Sequence, residues 1–393
     1  MKMKALTLSL MLVSLGSVAG TPNFSGYGRY AQEASGDEMI YLKGDYGEIN
    51  AAGRLGNEGN WMEWMLTQDF EMDQSKFNLN VMIGTPGHDD WGKLFYLQQF
   101  YGGGSGIFPS QPDAYVWAGK RFYGREQGGL SDYYMLSADG SGAGVDNLNV
   151  GFGKLDLGWT QAGDGAGAAN TTQGTVNMLM LHLHDMKIGK QGTLKFRANY
   201  AFALADIKDN LENDTAMQLF AAYRHTFGDN WVQLAGRYET DGAAFTTANS
   251  SGTSWAGYED KTARSYGAFV DGAITLGEMT AMEYNANYLK VDCTETGCSF
   301  DEKEEYGVAV RPQHHWNDYM ATAVEAGFHN TKEDSNQSDA WKLTLSQNFQ
   351  IGHFMWSRPV VRFYVVTGEK KNTGKNAGTT DLTKVGAMVE AWW

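Results

Sequence analysis

In almost every segment of the chain, apolar residues and polar or small residues alternate at every second position, the period of an extended strand. In WMEWMLTQDF, Met62, Trp64, Leu66 and Phe70 fall on one face; Trp61, Glu63, Thr67 and Asp69 fall on the other. TLKFRANY splits the same way, with Leu194, Phe196, Ala198 and Tyr200 opposite Thr193, Lys195, Arg197 and Asn199. The beat recurs in KFNLNVMI, VNMLMLHLHD, AMQLFAAYR, WVQLAGRYE, MEYNANYLK, EYGVAVR, WKLTLSQ and PVVRFYVV. About eighteen such segments fill the chain, one per roughly twenty residues, which suits transmembrane strands of roughly 9–11 residues plus connections.

The connections alternate in length. Asp73-Gln74, Phe227–Asn230, Gly277-Glu278 and Gln313–Asp318 read as tight turns. Tyr30 to Asn60, Asp206 to Thr215, Asp241 to Arg264, Asp292 to Lys303 and Gly368 to Asp381 read as longer polar loops. Long loops on one side and short turns on the other is the plan of an outer-membrane barrel. A soluble β-sandwich also alternates, but strand number, loop asymmetry and the strand-end aromatics Trp159, Tyr200, Tyr238, Tyr288, Trp341 and Trp393 favour the barrel. In the last segment, DLTKVGAMVEAWW, parity turns Val385, Ala387, Val389, Ala391 and Trp393 to lipid and Met388, Glu390 and Trp392 to the lumen. A lumenal indole has a use only if something stacks on it.

Composition sharpens the compartment. Glycine (49) far outnumbers proline (6) and aromatics reach 13%, a balance that suits strands and turns. Lys2 and Lys4, the apolar run Ala5 to Leu15 and the small residues Gly16–Gly20 form a secretory signal peptide over residues 1–20, cleaved near Ala19 or Gly20. Residues 21–393 are then the mature barrel, and no other apolar stretch approaches the roughly 18 residues of a membrane helix. Loss of the two lysines takes the formal charge from −15 to −17, a poor field for nucleic acid or anionic head groups. Export favours a local disulfide between Cys293 and Cys298.

Candidate chemistry concentrates in Gly119 to Gly144, GKRFYGREQGGLSDYYMLSADGSGAG, which has neither strand nor helix period and reads as a long ordered loop. Arg125, Asp132 and Tyr134 offer a cation, an anion and an amphipathic ring, a set that suits a polyhydroxylated ligand. GGGSG at Gly102 to Gly106 lacks the following Gly-Lys-Ser/Thr of a phosphate loop and reads as a strand end running into a turn. His182 and His184 share one strand face, but no third metal ligand is evident from the sequence, so a polar lumenal position accounts for them. No Gly-x-Ser-x-Gly is present. No catalytic constellation, cofactor or metal site is expected.

WAGKRFYGRE, GAGVDNLNVGFGKL, RLGNE at Arg54 to Glu58, VRPQHHW, MWSRPVVR at Met355 to Arg362 and the terminal EAWW together resemble the maltoporins, trimeric sugar-specific porins of Gram-negative outer membranes. The resemblance runs from the first mature strand to the last residue. It implies an all-β, 18-stranded antiparallel transmembrane barrel with an inward-folded third loop, embedded as a homotrimer in outer-membrane lipid. Its implied function is facilitated diffusion of maltose and maltodextrins; the alternative is a general or other-sugar-selective diffusion porin.

In that family, aromatic rings spiral down the lumen opposite a track of charges. Carried over by motif, the resemblance assigns Tyr27, Trp61, Trp91, Trp231, Trp356 and Trp392 to the stacking path, with Trp91 reaching into a neighbouring subunit. It assigns Arg29, Arg54 and Glu63 to the polar track and Arg125, Asp132 and Tyr134 to the constriction. The pattern departs at Gly129, Ser137 and Tyr96, which replace a histidine, an aspartate and a track arginine; these losses are expected to widen the constriction. A hydrolase on the same barrel would need a nucleophile or acid beside a rim histidine such as His184 or His329.

Overall fold

The computed structural model describes residues 18–36, 40–45, 52–85, 95–161, 176–203, 215–241, 263–293 and 300–393. Eighteen antiparallel strands, from Asn23–Ser35 to Gly378–Trp392, each pair with the next in sequence. The first then pairs with the last, from Tyr27 opposite Trp392 to Ser35 opposite Lys384. That seam closes the sheet into a barrel and excludes a sandwich. A two-residue strand, Val18–Ala19, lies in the expected leader and pairs with Glu71 and Phe70; residues 1–17 lie outside the described residues.

The alternation read from the sequence is the reverse of a soluble sheet. Along Asn336–Gln350, Lys342, Thr344, Ser346, Asn348 and Gln350 are buried, whereas Trp341, Leu343, Leu345 and Phe349 are exposed. Apolar side chains face outward because hydrocarbon is the outer solvent, while the polar set turns into the lumen. Outward aromatics meet in register between neighbouring strands: Tyr238 opposite Tyr266, Tyr288 opposite Tyr306 and Phe328 opposite Trp341. They form part of an interfacial band.

Three expected connections change, and the tight turn expected at Gln313–Asp318 falls instead at residues 318–319, because Gln313 and His315 are still paired with Ala323 and Ala321. The strands Val360–Thr373 and Gly378–Trp392 stay paired as far as Asn372 opposite Gly378, so the long loop expected from Gly368 to Asp381 shrinks to residues 374–377. Both strands are polar there, and backbone pairing continues without an apolar face to announce it. The stretch from Gly119 to Gly144 also divides: Tyr115–Arg121 and Gly140–Asn149 are wall strands, and only residues 122–139 leave the wall. GSGAG carries no side-chain contrast, which is why its strand was invisible to periodicity.

Residues 122–139 pack inside the barrel. Tyr133, Met135 and Leu136 cluster with the inward side chains Phe220, Phe269 and Leu289. Arg197 Nη1 donates to the Gly124 carbonyl, and Arg237 Nη1 donates to the Met135 carbonyl at 2.8 Å. The described parts of the first long connection, 40–45 and 52–60, enter as well. Leu42 and Leu55 bury against Tyr364, Val366, Leu382 and Met388 on the opposite stretch of wall.

Candidate functional site

Between the two inward segments lies a cavity of about 550 Å³. Its walls carry Tyr27, Tyr41, Trp61, Tyr134, Trp356 and Trp392 together with Arg29, Lys43, Arg54, Glu63, Arg125, Asp132 and Glu390. Of the six expected stacking residues, four therefore line one space. Tyr27 and Trp392 are register partners across the seam. Trp356 and Trp392 follow one another with ring centroids 6.3 Å apart and planes 31° apart. The Arg358 guanidinium stands 4.5 Å from the Trp392 ring and 5.5 Å from the Trp356 ring, holding both by cation–π attraction. Trp61, almost fully buried, donates its indole N–H to Glu63 Oε1 at 2.8 Å, which fixes an expected stacking ring to an expected track carboxylate.

The expected constriction residues come together on the inward segment. Arg125 reaches Asp139 through Nε at 2.8 Å and Nη2 at 2.5 Å, and its Nη1 donates to the Tyr134 hydroxyl at 3.2 Å. The Phe122 ring lies 3.4 Å from the same guanidinium. Arg125 is thereby clamped in one orientation. Asp132 sits at a left-handed backbone position (φ 52°), which Asp tolerates better than most residues. Its carboxylate accepts from Gln127 Nε2 at 2.7 Å and from Arg29 Nη1 at 3.0 Å. Burial pushes the Asp132 carboxyl up, but Arg54 and Arg29 more than offset this and hold it below the usual carboxylate range.

The charged track is a connected network. Arg29 bonds the Gly59 carbonyl at 2.7 Å and Glu58 at 3.2 Å; Arg54 bonds Glu58 at 2.6 Å and Glu390 at 3.0 Å. Glu390 also accepts from Tyr27 at 3.1 Å, Arg362 at 2.9 Å and Arg358 at 2.6 Å. Three guanidiniums thus share one buried carboxylate. Parity had placed Glu390 in the lumen, but Arg358 and Arg362, Glu58 as a track partner, Asp139, and the lining pair Tyr41 and Lys43 were missed. RLGNE and MWSRPVVR held several of them in plain view; what no single segment reveals is that they converge.

Other expected residues fall differently. Trp231 shares the inward parity of Gln233, Arg237 and Glu239, yet it does not line the cavity, and Arg224 covers its ring at 3.9 Å. Gly129 lies against Trp356: a Cβ there would come within 3.1 Å of the indole Cζ2, so the indole occupies space beside the missing side chain. Ser137 is buried beside Asp139, the partner of the Arg125 clamp. Tyr96 opens the Tyr96–Ser105 strand with Lys120 Nζ 5.9 Å from its ring. Cys293 is disulfide-bonded, while Cys298, like Trp91, lies outside the described residues.

The His182 and His184 side chains do face the lumen, and a third group joins them. Asp156 on the neighbouring strand lies 3.0 Å from a ring nitrogen of each. The pairing that brings it there, Asp156 opposite His182, exists only between strands.

A family model described as LamB porin matches residues 23–393. Among curated relatives, a maltoporin of Vibrio cholerae is 29% identical over 94% of each chain. A maltoporin of Hahella chejuensis is 27% identical over 99% of this chain and 96% of its own. Among solved structures, a loop-deletion mutant of the Vibrio cholerae outer-membrane protein OmpT superposes with a TM-score of 0.51 at 12% identity, covering 96% of this chain and 100% of that one. Pseudomonas aeruginosa OccK8 gives 0.51 at 11% identity, covering 96% and 98%. At such identities the solved structures speak to the barrel fold alone.

Proposed function

The chain belongs to the LamB porin family and is an outer-membrane sugar porin of a Gram-negative bacterium, and on that premise we propose that it passes maltose and maltodextrins by facilitated diffusion, as a homotrimer. The observation that carries this reading is the cavity in which Tyr27, Trp61, Trp356 and Trp392 share walls with Arg29, Arg54, Glu63 and Glu390. A glucosyl unit has apolar C–H faces and a belt of hydroxyls. Rings shield the faces while charges exchange hydrogen bonds with the belt, so neither part bears its full desolvation cost. Stacking contacts in succession keep the path nearly level, and conduction needs binding strong enough to enter and weak enough to leave. The reading involves no chemical step and no energy source: the protein is a channel and not an enzyme.

The roles follow from position. Arg125, Asp132 and Tyr134 narrow the path from the inward segment, and the polar track orients hydroxyls opposite the rings. Trp→Ala at Trp61 or Trp392 is expected to weaken block of ion current by malto-oligosaccharides about two- to tenfold per site, since a stacked ring contributes about 0.5–1.5 kcal/mol beyond area burial. Ion conductance itself should hardly change. A proportional change in both quantities would mean that the rings act as a sieve, and a general porin would be the better description.

A further inference from the structure

We propose that Asp156, His182 and His184 form a lumenal binding site for a divalent transition-metal ion of the zinc class. Asp156 Oδ2 is 3.0 Å from His182 Nδ1, and Asp156 Oδ1 is 3.0 Å from His184 Nε2. The three donor atoms all lie within 4.8 Å of one another. In a tetrahedral zinc site, ligand bonds of about 2.0–2.2 Å put neighbouring donors roughly 3.4 Å apart. The two Asp–His spacings therefore come within a few tenths of an ångström of those in a metal site.

The surrounding groups decide which atoms an ion would take. His182 Nδ1 stands between an acceptor, Asp156 Oδ2 at 3.0 Å, and a donor, Arg197 Nη2 at 3.3 Å, and an ion there would replace the proton shared with Asp156. His184 Nε2 is hydrogen-bonded to Asp156 Oδ1 at 3.0 Å while Nδ1 faces Asp185 Oδ2 at 3.4 Å, so an ion at Nε2 would replace the proton shared with Asp156 and leave Nδ1–H toward Asp185. Each Asp156 oxygen is hydrogen-bonded to one imidazole nitrogen, so both nitrogens converge on one carboxylate. A metal ion there takes two imidazoles and a carboxylate, the donor set of an open zinc site. The Asn147 N–H, bonded to Asp156 Oδ1 at 2.7 Å, and Asp185 behind His184 provide the outer hydrogen bonds such sites use. His182 Nε2 is buried with no hydrogen-bond partner, so no group on its far side demands a particular tautomer.

The site is reachable and placed to matter. All three side chains are partly exposed toward the lumen. Arg197 opposes a dication, but Glu126 lies 3.7 Å from its Nη2 and partly balances it. Through Nη1, Arg197 also holds the Gly124 carbonyl at the root of the inward segment. An ion that captures His182 Nδ1 thus removes one partner from the residue that anchors that root.

The test uses the purified full-length protein without a histidine tag, dialysed to equilibrium against zinc chloride and, separately, cobalt chloride. The expected result is one ion per chain, with affinity at least about tenfold weaker in His184→Gln and Asp156→Asn. The cobalt form should show visible absorption characteristic of low-coordinate Co²⁺, and the variants should lose it. His184→Gln keeps a neutral polar side chain, so it carries the test if Asp156→Asn disturbs assembly. Wild type that retains no ion above buffer, or His184→Gln that binds as tightly as wild type, overturns the proposal. Neither result depends on sugar transport.

Discussion

Residues 40–45 with 52–60 and residues 122–139 enter the same lumen but are fastened to it differently. The first is tied by buried charge to its main chain. Lys342, fully buried, donates to the Leu55 carbonyl at 2.5 Å and to Glu325 at 2.7 Å, and Glu325 accepts the Leu55 N–H at 2.9 Å. The second rests on apolar packing, Tyr133 stacked on Phe269 at 5.9 Å and 29°, with arginines serving its carbonyls. A charge-tied segment is brittle, because loss of one partner leaves another charge buried and uncompensated. A packed segment yields more gradually, since neighbouring side chains relax toward the gap. The two touch where Arg54 N–H bonds the Leu130 carbonyl at 3.0 Å and where Arg29 joins Glu58 to Asp132. The pore is therefore framed by one rigid jaw and one compliant jaw.

Breaking the rigid jaw should have the largest effect. Lys342→Met leaves buried Glu325 with Arg311 as its charged partner at 3.3 Å and is expected to cost about 3 kcal/mol of local stability, the low end for a broken buried pair. Open-channel ion current should rise while sugar block falls, both measurable in one bilayer titration; unchanged current would show that this segment does not shape the pore. Phe269→Ala attacks the compliant jaw. Its cost should sit near about 3 kcal/mol, the low end for a buried Phe, with noisier open-channel current and sugar block largely kept. If it abolished block as Lys342→Met does, the contrast between the jaws would be lost.

Smaller changes refine the picture. Gly129→His puts a Cβ about 3.1 Å from the Trp356 indole, which must shift. Oligosaccharide block should weaken about two- to tenfold, the range for one stacked ring, with no change in denaturation midpoint. Tighter block would instead mean that the imidazole adds a contact.

Acidification should do least. A depressed carboxyl pKa keeps the Arg29–Asp132 link intact above the ordinary Asp range and releases it only as pH falls through the depressed value. Sugar block measured at about pH 7 and about pH 5 should therefore agree. A loss between those values would show that Asp132 is less firmly held than its arginines imply.

The wall was legible because lipid outside and water inside impose a two-residue period on every strand. The compliant jaw was legible as well: Arg125, Asp132 and Tyr134 sit within one stretch of sequence and differ sharply in chemistry. The rigid jaw was not. Leu42, Ala52 and Leu55 have no period, and the groups that receive them, Glu325, Lys342 and Val366, come from strands about 270 to 320 residues away. The stretch around them therefore reads as an ordinary polar loop. Asp156 escaped for a related reason: parity along one strand says which way His182 and His184 point, but register between strands says what they meet.

Glu390 ties this geometry to the order in which the chain is made. It lies at the end of the last strand, on the seam, yet its partners include Arg54 from an early connection and Tyr27 from the first strand. Arg54 and Leu55 are synthesised long before Glu325, Lys342 and Glu390 exist to receive them. Until the final strand zips to the first, the rigid jaw has no complete seat, and the lumen of a half-built barrel should be wider than that of the finished one. Closure and narrowing are then a single event, so this channel is expected to become selective only at the moment it becomes a channel. Cysteine cross-linking between positions 55 and 342 in chains truncated before residue 378 would test this, since efficient cross-linking there would mean that the jaw seats early.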